Sequence, residues 1–303
     1  MATSAPLSMV TSLDRGWVAE PPTRPLTDFP DQYLTIQDIR LRYWQAGEHG
    51  TPLLLLHGLN GCVENWRWNI GALAQQHRVY ALDGPGHGLS QPDERSLDLA
   101  FMRGLVTGFM RAHGIERSHV VALSGGGLVA LALALDEPRF VDRLVLVDAA
   151  GLGRGINPRM RLFSVLPPAP RRWLRQPLSK PQLRYWLLSA FFKNPASLTN
   201  PMLDDFYANI RREHTARTAA NLMRWGVNLW GQKYQFSGQL RKIQAPTLII
   251  WGKQDQMIPV RHAYRAVRRI PDARLVIFDP CGHLPTLEHP ERFNAVVLDF
   301  LKR

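Results

Sequence analysis

The stretch His119-Val-Val-Ala-Leu-Ser124-Gly-Gly-Gly-Leu-Val-Ala-Leu constrains this chain more than any other. A β-branched and aliphatic run enters a glycine turn and leaves it as a helix-forming run, which predicts a buried strand reversing into a buried helix with Ser124 at the bend. The charge-free apolar stretch 120–135 is sixteen residues long, short of the roughly 18 that cross a bilayer, and glycines interrupt it. Similar short apolar runs occur at 33–36, 39–46, 52–57, 78–83, 143–148, 246–252 and 274–279. The first two are close enough to pair as a hairpin. From residue 52 onward, helical patterns at 64–76, 97–113, 125–135, 260–269 and 290–301 separate the runs, which are almost wholly apolar, as strands covered on both faces are. The pattern predicts an α/β fold: a mostly parallel eight-stranded sheet flanked by helices.

After Asp148 the alternation stops, and about 90 residues with only helical periodicity intervene before a strand resumes near Pro246. We read 31–150 and 237–303 as the core, 151–236 as an inserted helical cap rich in aromatic and basic residues, and 1–30 as a flexible lead-in. The lead-in has no basic start and no apolar core, so it does not resemble a signal peptide. The chain's net charge of +12 belongs almost entirely to the cap, where 14 Lys and Arg face 3 acids. In residues 182–193, Leu183, Trp186, Leu187, Ala190 and Phe191 form one apolar stripe suited to covering a pocket. Tyr185, Leu188 and Phe192 form a second stripe that needs another partner.

Two cysteines, Cys62 and Cys281, are too few for a disulfide framework and lack the paired spacing of zinc sites, so a cytoplasmic protein with free thiols is expected. No metal-ligand motif or dinucleotide fingerprint occurs, and no cofactor is expected. The basic residues ride with large aliphatic groups and no nucleic-acid motif accompanies them, which argues against nucleic acid. Peripheral contact between the basic cap and an anionic membrane is the alternative to a purely intramolecular lid. The sequence leaves the oligomeric state open.

The chemistry is read from three places. A serine at a strained strand-to-helix bend projects its hydroxyl above the sheet, provided that the residues two before and two after are small; Ala122 and Gly126 stand there. The Gly125 amide then opens the helix and points where an oxyanion would form, and the loop after the early strand, His57-Gly-Leu-Asn-Gly61, offers Leu59 as a second amide donor. A serine hydroxyl needs a base, and the base needs an orienting acid. His283 follows the last strand on a Gly-bearing loop, at the sheet edge where open α/β folds place their sites. His57 and His87 compete, but their glycine-rich surroundings suit backbone shaping. Asp255, just past the preceding strand, is our choice for the acid, with Asp148 the alternative. Asp83 reads as a turn-former.

Taken in order, His57-Gly58-x, Asp83-x-x-Gly86-x-Gly88-x-Ser90, the bend at Ser124, the Asp255 loop and Gly282-His283-x-Pro285-x-x-Glu288-x-Pro290 resemble the α/β-hydrolase superfamily from about residue 31 to the C-terminus. One departure is Ala122, where the family's nucleophile elbow usually has glycine. The resemblance implies that Ser124 attacks an acyl carbon, His283 shuttles the proton, and the Leu59 and Gly125 amides hold the oxyanion before water releases the acyl enzyme. Serine rather than aspartate argues against the superfamily's dehalogenases and epoxide hydrolases. The expected activity is hydrolysis of a carboxylic ester, or a related acyl bond, in a largely apolar small molecule. Carbon-carbon bond hydrolysis and perhydrolysis on the same scaffold are the alternatives, as is a non-catalytic ligand receptor.

Overall fold

A computed structural model of the chain describes residues 29–93, 98–165 and 178–302. Most of the lead-in, the Pro-rich turn at 166–170 and Trp173 lie outside the described residues.

Eight strands form one sheet in the order β1-β2-β4-β3-β5-β6-β9-β10. β1 (Gln32–Ile36) and β2 (Ile39–Ala46) make an antiparallel hairpin across Gln37 and Asp38, both at positive φ, the turn whose twist suits a two-residue connection. β2 runs antiparallel to β4 (Arg78–Leu82), and from there β3 (Pro52–Leu56), β5 (Ser118–Leu123), β6 (Val141–Val147), β9 (Thr247–Gly252) and β10 (Ala273–Phe278) are all parallel. The eight strands agree with the runs read from the sequence, because residues such as Leu53, Leu54 and Leu55 are buried between two helix layers and so lack a polar face. A two-strand ribbon, β7 (Val227–Asn228) with β8 (Gly231–Gln232), stands apart from the sheet.

The helices are α1 (Ile70–Leu73), α2 (Leu99–Ala112), α3 (Gly125–Asp136), α4 (Pro158–Val165), α5 (Lys180–Ala190), α6 (Asn200–Ile210), α7 (Glu213–Gly226), α8 (Arg261–Ala266), α9 (Pro285–Glu288) and α10 (Pro290–Leu301). α3, buried nearly all round, is the central helix that the serine bend launches. Asp98, Ser179 and Thr199 cap α2, α5 and α6 by accepting hydrogen bonds from the backbone amides of Phe101, Gln182 and Met202.

Two expectations need correction. The single helix at 64–76 is instead a 3₁₀ turn at Val63–Trp66 and one α-turn at Ile70–Leu73. Between them the Asn69 amide is buried and donates to Thr286 O and Asn294 Oδ1 at 3.2 and 2.9 Å, so contacts with the C-terminal segment override local helical periodicity. Nor is the stretch between β6 and β9 purely helical: Asn228, whose side chain accepts from Trp230 N, and Gly231, at φ 120°, turn the chain into the β7–β8 ribbon.

Register lines up the functional loops. Leu56 of β3 pairs with Ala122 of β5, Leu123 with Val147 of β6, Val147 with Ile250 of β9, and Gly252 with Phe278 of β10. The loops after these five strands therefore leave the sheet side by side at its carboxyl edge. The strand order reverses here, between β3 and β5, and such a reversal opens a crevice.

Candidate active site

Ser124 sits at φ 51° and ψ −115°, a backbone strain that puts its hydroxyl above the sheet edge. The bend is fixed from both sides, since Ser124 N donates to Val147 O (2.9 Å) and Ala150 N donates to Ser124 O (2.8 Å). Gly126 is required by space: a Cβ there would lie 2.5 and 2.6 Å from the carbonyl oxygens of Leu56 and His57. Ala122, where glycine is usual, is fully buried in β5 and its methyl packs in the core, so the strand side of the bend accepts the extra carbon.

The hydroxyl oxygen of Ser124 lies 2.9 Å from His283 Nε2, and His283 Nδ1 lies 2.8 Å from Asp255 Oδ2. Asp255 is locked in turn: its Oδ1 accepts from the amides of Met257 (2.7 Å) and Ile258 (3.0 Å), and its side chain has no solvent exposure. An acid held by two amides and bonded to Nδ1 fixes the imidazole so that Nε2 faces the serine. The structure thus brings Ser124, His283 and Asp255 into one hydrogen-bonded chain.

Leu59 and Gly125 also meet, for a Cβ on Gly125 would lie 3.2 Å from Leu59 N. Among the described residues neither amide donates to another backbone group, so both are free to face an oxyanion beside Ser124. His57 and His87 serve the backbone instead. His57 Nδ1 donates to Gly58 O (2.7 Å) while Nε2 accepts from Gly84 N (2.9 Å), and burial lowers its pKa to about 4. His87 Nδ1 donates to Pro85 O (3.1 Å), and burial lowers its pKa to about 3. Asp83 is the expected turn-former, accepting from the amides of Val63 and Leu89 at 2.7 and 2.9 Å; burial raises its pKa to about 7 against the opposing pull of Arg42.

Asp148, the alternative acid, stands directly behind the chosen one. Its Oδ1 accepts from Gly252 N at 2.9 Å, and burial together with the charge of the neighbouring Asp255 pushes its carboxyl well above the usual carboxylate range. A carboxyl kept protonated in this position can donate to Asp255, but it does not touch the imidazole as Asp255 does. Asp148, Asp255 and His283 offer ligand atoms within 4.8 Å of one another, yet both imidazole nitrogens already have partners.

Glu288 is the residue whose role sequence reasoning missed. Buried, it accepts from Gly282 N (2.6 Å), Lys193 N (2.8 Å) and Asn194 N (3.0 Å), tying the His283 loop to the chain after α5, while His283 N donates to Phe191 O (2.7 Å). Its place in the closing motif marked it, but no local pattern says what it holds. Cys62 and Cys281 are both buried, and burial pushes each thiol well above its ordinary pKa.

Above Ser124 lies a cavity of about 760 Å³. Met102, Val106 and Val129 form its core-side wall, and Leu183, Trp186, Leu187 and Phe191 face it from the α5 segment. The first stripe therefore covers the cavity. The second stripe does not seek a partner outside the chain: Phe192 is buried with its ring 6.5 Å from Phe206, Leu188 packs against the same core, and only Tyr185 is exposed. Its apolar demand is met by α6.

Residues 51–290 match the alpha/beta hydrolase fold family. The dihydrolipoyllysine-residue acetyltransferase component of the acetoin cleaving system of Cupriavidus necator is 34% identical, the match covering 88% of this chain and 67% of that protein. The 2-hydroxy-6-oxo-6-phenylhexa-2,4-dienoate hydrolase of Burkholderia cepacia is 31% identical, over 88% of this chain and 92% of its own length. Among solved structures, the meta-cleavage product hydrolase CumD of Pseudomonas fluorescens IP01 superposes with a TM-score of 0.76 at 27% identity, covering 89% of this chain and 97% of that one. A membrane phospholipase A described as a bacterial virulence factor does so with a TM-score of 0.76 at 25% identity, covering 90% and 86%.

Proposed function

The chain belongs to the alpha/beta hydrolase fold family, and from that premise we propose that it is a serine hydrolase cleaving the carboxylic ester of a largely apolar small molecule through an acyl enzyme. The observation that carries this reading is the chain Ser124 Oγ, His283 Nε2, His283 Nδ1, Asp255 Oδ2, with links of 2.9 and 2.8 Å, opening onto an apolar cavity.

In the proposed reaction Ser124 Oγ attacks the acyl carbon while His283 Nε2 takes its proton. Asp255 stabilises the imidazolium without itself being protonated. The negative charge on the former carbonyl oxygen is held by the amides of Leu59 and Gly125. His283 then returns the proton to the departing alkoxide, and the acyl group remains on Ser124. Water, deprotonated by the same nitrogen, attacks the ester so formed and releases the acid.

Carbon-carbon bond hydrolysis is the second reading, and the similarity to the dienoate hydrolases favours it. A dienoate carries a carboxylate that needs a cationic or strongly donating partner. Among the described residues, Asp83 and Arg159 are the charged side chains lining the cavity; the first is bound to Arg42, and the second is exposed at the rim. The described lining, largely apolar with one cation at the rim, suits a neutral ester better than a dienoate anion. A fluorophosphonate probe together with a panel of aryl esters of graded acyl length and one dienoate tests this. We expect stoichiometric labelling at Ser124 and an acyl burst on the esters. Faster turnover of the dienoate would transfer the reading to carbon-carbon cleavage; labelling without turnover of any substrate would leave a receptor.

A further inference from the structure

The tip of the β7–β8 ribbon carries two large apolar side chains that the turn does not need. Leu229 and Trp230 are 54% and 70% exposed, whereas Asn228 and Gly231 supply the turn's chemistry. Two-residue hairpin turns ordinarily place Asn, Gly or Asp at such positions, so an exposed Leu-Trp tip is a cost to solubility.

The tip is not isolated. β7 packs against α4, whose Leu162 and Val165 are 59% and 43% exposed. Leu162 and the exposed Arg159 also line the cavity over Ser124, so the patch is continuous with the cavity's rim. Cations surround it. Arg154 O accepts from Gln232 N in β8 (2.9 Å), and Lys233 Nζ donates to Arg224 O (2.9 Å), which puts Arg154, Arg224 and Lys233 beside the ribbon, with Arg159 and Arg161 on α4. The three acids between residues 151 and 236 are Asp204, Asp205 and Glu213, and the first two are paired with Lys180 and Arg67.

From this arrangement we propose that the α4 and β7–β8 face is a docking surface for an anionic lipid bilayer, with Leu229 and Trp230 entering the headgroup region and the surrounding arginines and lysine meeting lipid phosphates. Trp suits that depth because its ring is apolar and its N–H finds a polar partner there. One apolar tip binds a bilayer only reversibly, and a polybasic surround supplies the second attraction that peripheral anchoring requires. This surface differs from the second stripe of α5, whose Leu188 and Phe192 pack inside the fold, and it adjoins the cavity through Arg159 and Leu162. An apolar substrate dissolved in the bilayer would reach Ser124 without crossing water.

Sedimentation with phosphatidylglycerol vesicles and with phosphatidylcholine vesicles tests the proposal on the full chain. We expect pelleting with the anionic vesicles alone, weakening between about 0.1 M and about 1 M salt as the Debye length falls from about 10 Å to about 3 Å. Leu229→Ser with Trp230→Ser should lower binding about tenfold through lost apolar transfer. Arg224→Gln and Lys233→Gln should each lower it about fivefold. None of these residues belongs to the catalytic chain or lines the cavity, so cleavage of a soluble short-chain ester should stay unchanged, which also reports that the variants fold. Equal, salt-insensitive recovery in the supernatant would overturn the proposal. So would a dimer in sedimentation velocity that the Leu229 and Trp230 changes dissolve without vesicle binding, since the face would then serve a second copy. Binding needs no turnover, so a protein that pellets but cleaves no ester would refute the ester reading and leave the docking surface standing.

Discussion

Beneath Ser124, polar atoms hold polar atoms: two amides grip Asp255, Asp255 grips His283, and three amides grip Glu288 behind the histidine loop. Above it, Leu183, Trp186, Leu187 and Phe191 present apolar surface held by packing, such as the 4.8 Å contact between the Trp186 and Phe191 rings. Directional bonds tolerate errors of only tenths of an ångström, whereas apolar packing accepts exchange of similar volumes at modest expense. The floor is therefore suited to fixing the chemistry and the roof to choosing what undergoes it. Each region should fail in its own way.

The largest separation comes from the floor. Ser124→Ala, His283→Ala and Asp255→Asn should each cut turnover by about 10⁴ to 10⁶ while the melting curve stays near that of the parent. Full activity in the Asp255 variant, with loss in an Asp148 variant, would exchange the two acids. Next comes the bend itself. Gly126→Ala pushes a methyl toward two carbonyl oxygens and should destabilise by about 1–3 kcal/mol, read from the denaturation midpoint, and reduce activity as the bend shifts. A variant as stable and active as the parent would mean that the bend has slack.

The roof should answer differently. Trp186→Ala enlarges the cavity, and kcat/KM should fall about tenfold for the ester whose acyl group filled that space while falling little for an acetyl ester. A uniform fall across all acyl lengths would show that the roof also positions the reacting groups, blurring the contrast.

The smallest effect probes the floor's depth through pH. The Asp148 carboxyl is held well above its ordinary pKa, chiefly by burial and then by Asp255, with Glu288 adding to the rise and Gly252 N opposing it. Folding therefore favours its protonated form. Its stability contribution is complete below the unfolded carboxyl's pKa of about 4 and is lost as pH rises toward the folded value. Asp148→Asn keeps the side chain's shape and an acceptor for Gly252 N without a titrating proton. Relative to this variant, the parent should be at its most stable near pH 4 and lose that advantage progressively as pH rises above it, by melting temperature. A difference constant with pH would mean that Asp148 is ionised in the fold.

How far the molecule is legible from its sequence depends on how local each feature is. Strand β5, its bend and helix α3 could be read directly, because an apolar run, a serine and small residues at fixed offsets encode them within a dozen positions. The helix at 64–76 was misread because its break depends on Asn69 meeting Thr286 and Asn294, more than two hundred residues away. The α5 stripes were read correctly as stripes, but whether Phe192 met lipid or α6 could not follow from their spacing.

For this protein the sequence alone determined the succession of the eight sheet strands and the helices α2, α3, α8 and α10, the strained bend at Ser124 and the sheet edge on which the histidine and both acids stand. Those features depend on backbone conformation and burial, which neighbouring residues largely dictate. Tertiary structure decided which carboxylate reaches the imidazole. Asp148 and Asp255 follow adjacent strands, and only folding aims Asp255 at Nδ1 while turning Asp148 to Gly252 N behind it. It also decided that Glu288 binds the histidine loop to the chain after α5 and that Leu229 and Trp230 stand exposed beside α4. Such pairings join residues far apart in the chain, and their strength depends on distances that closing the fold alone sets.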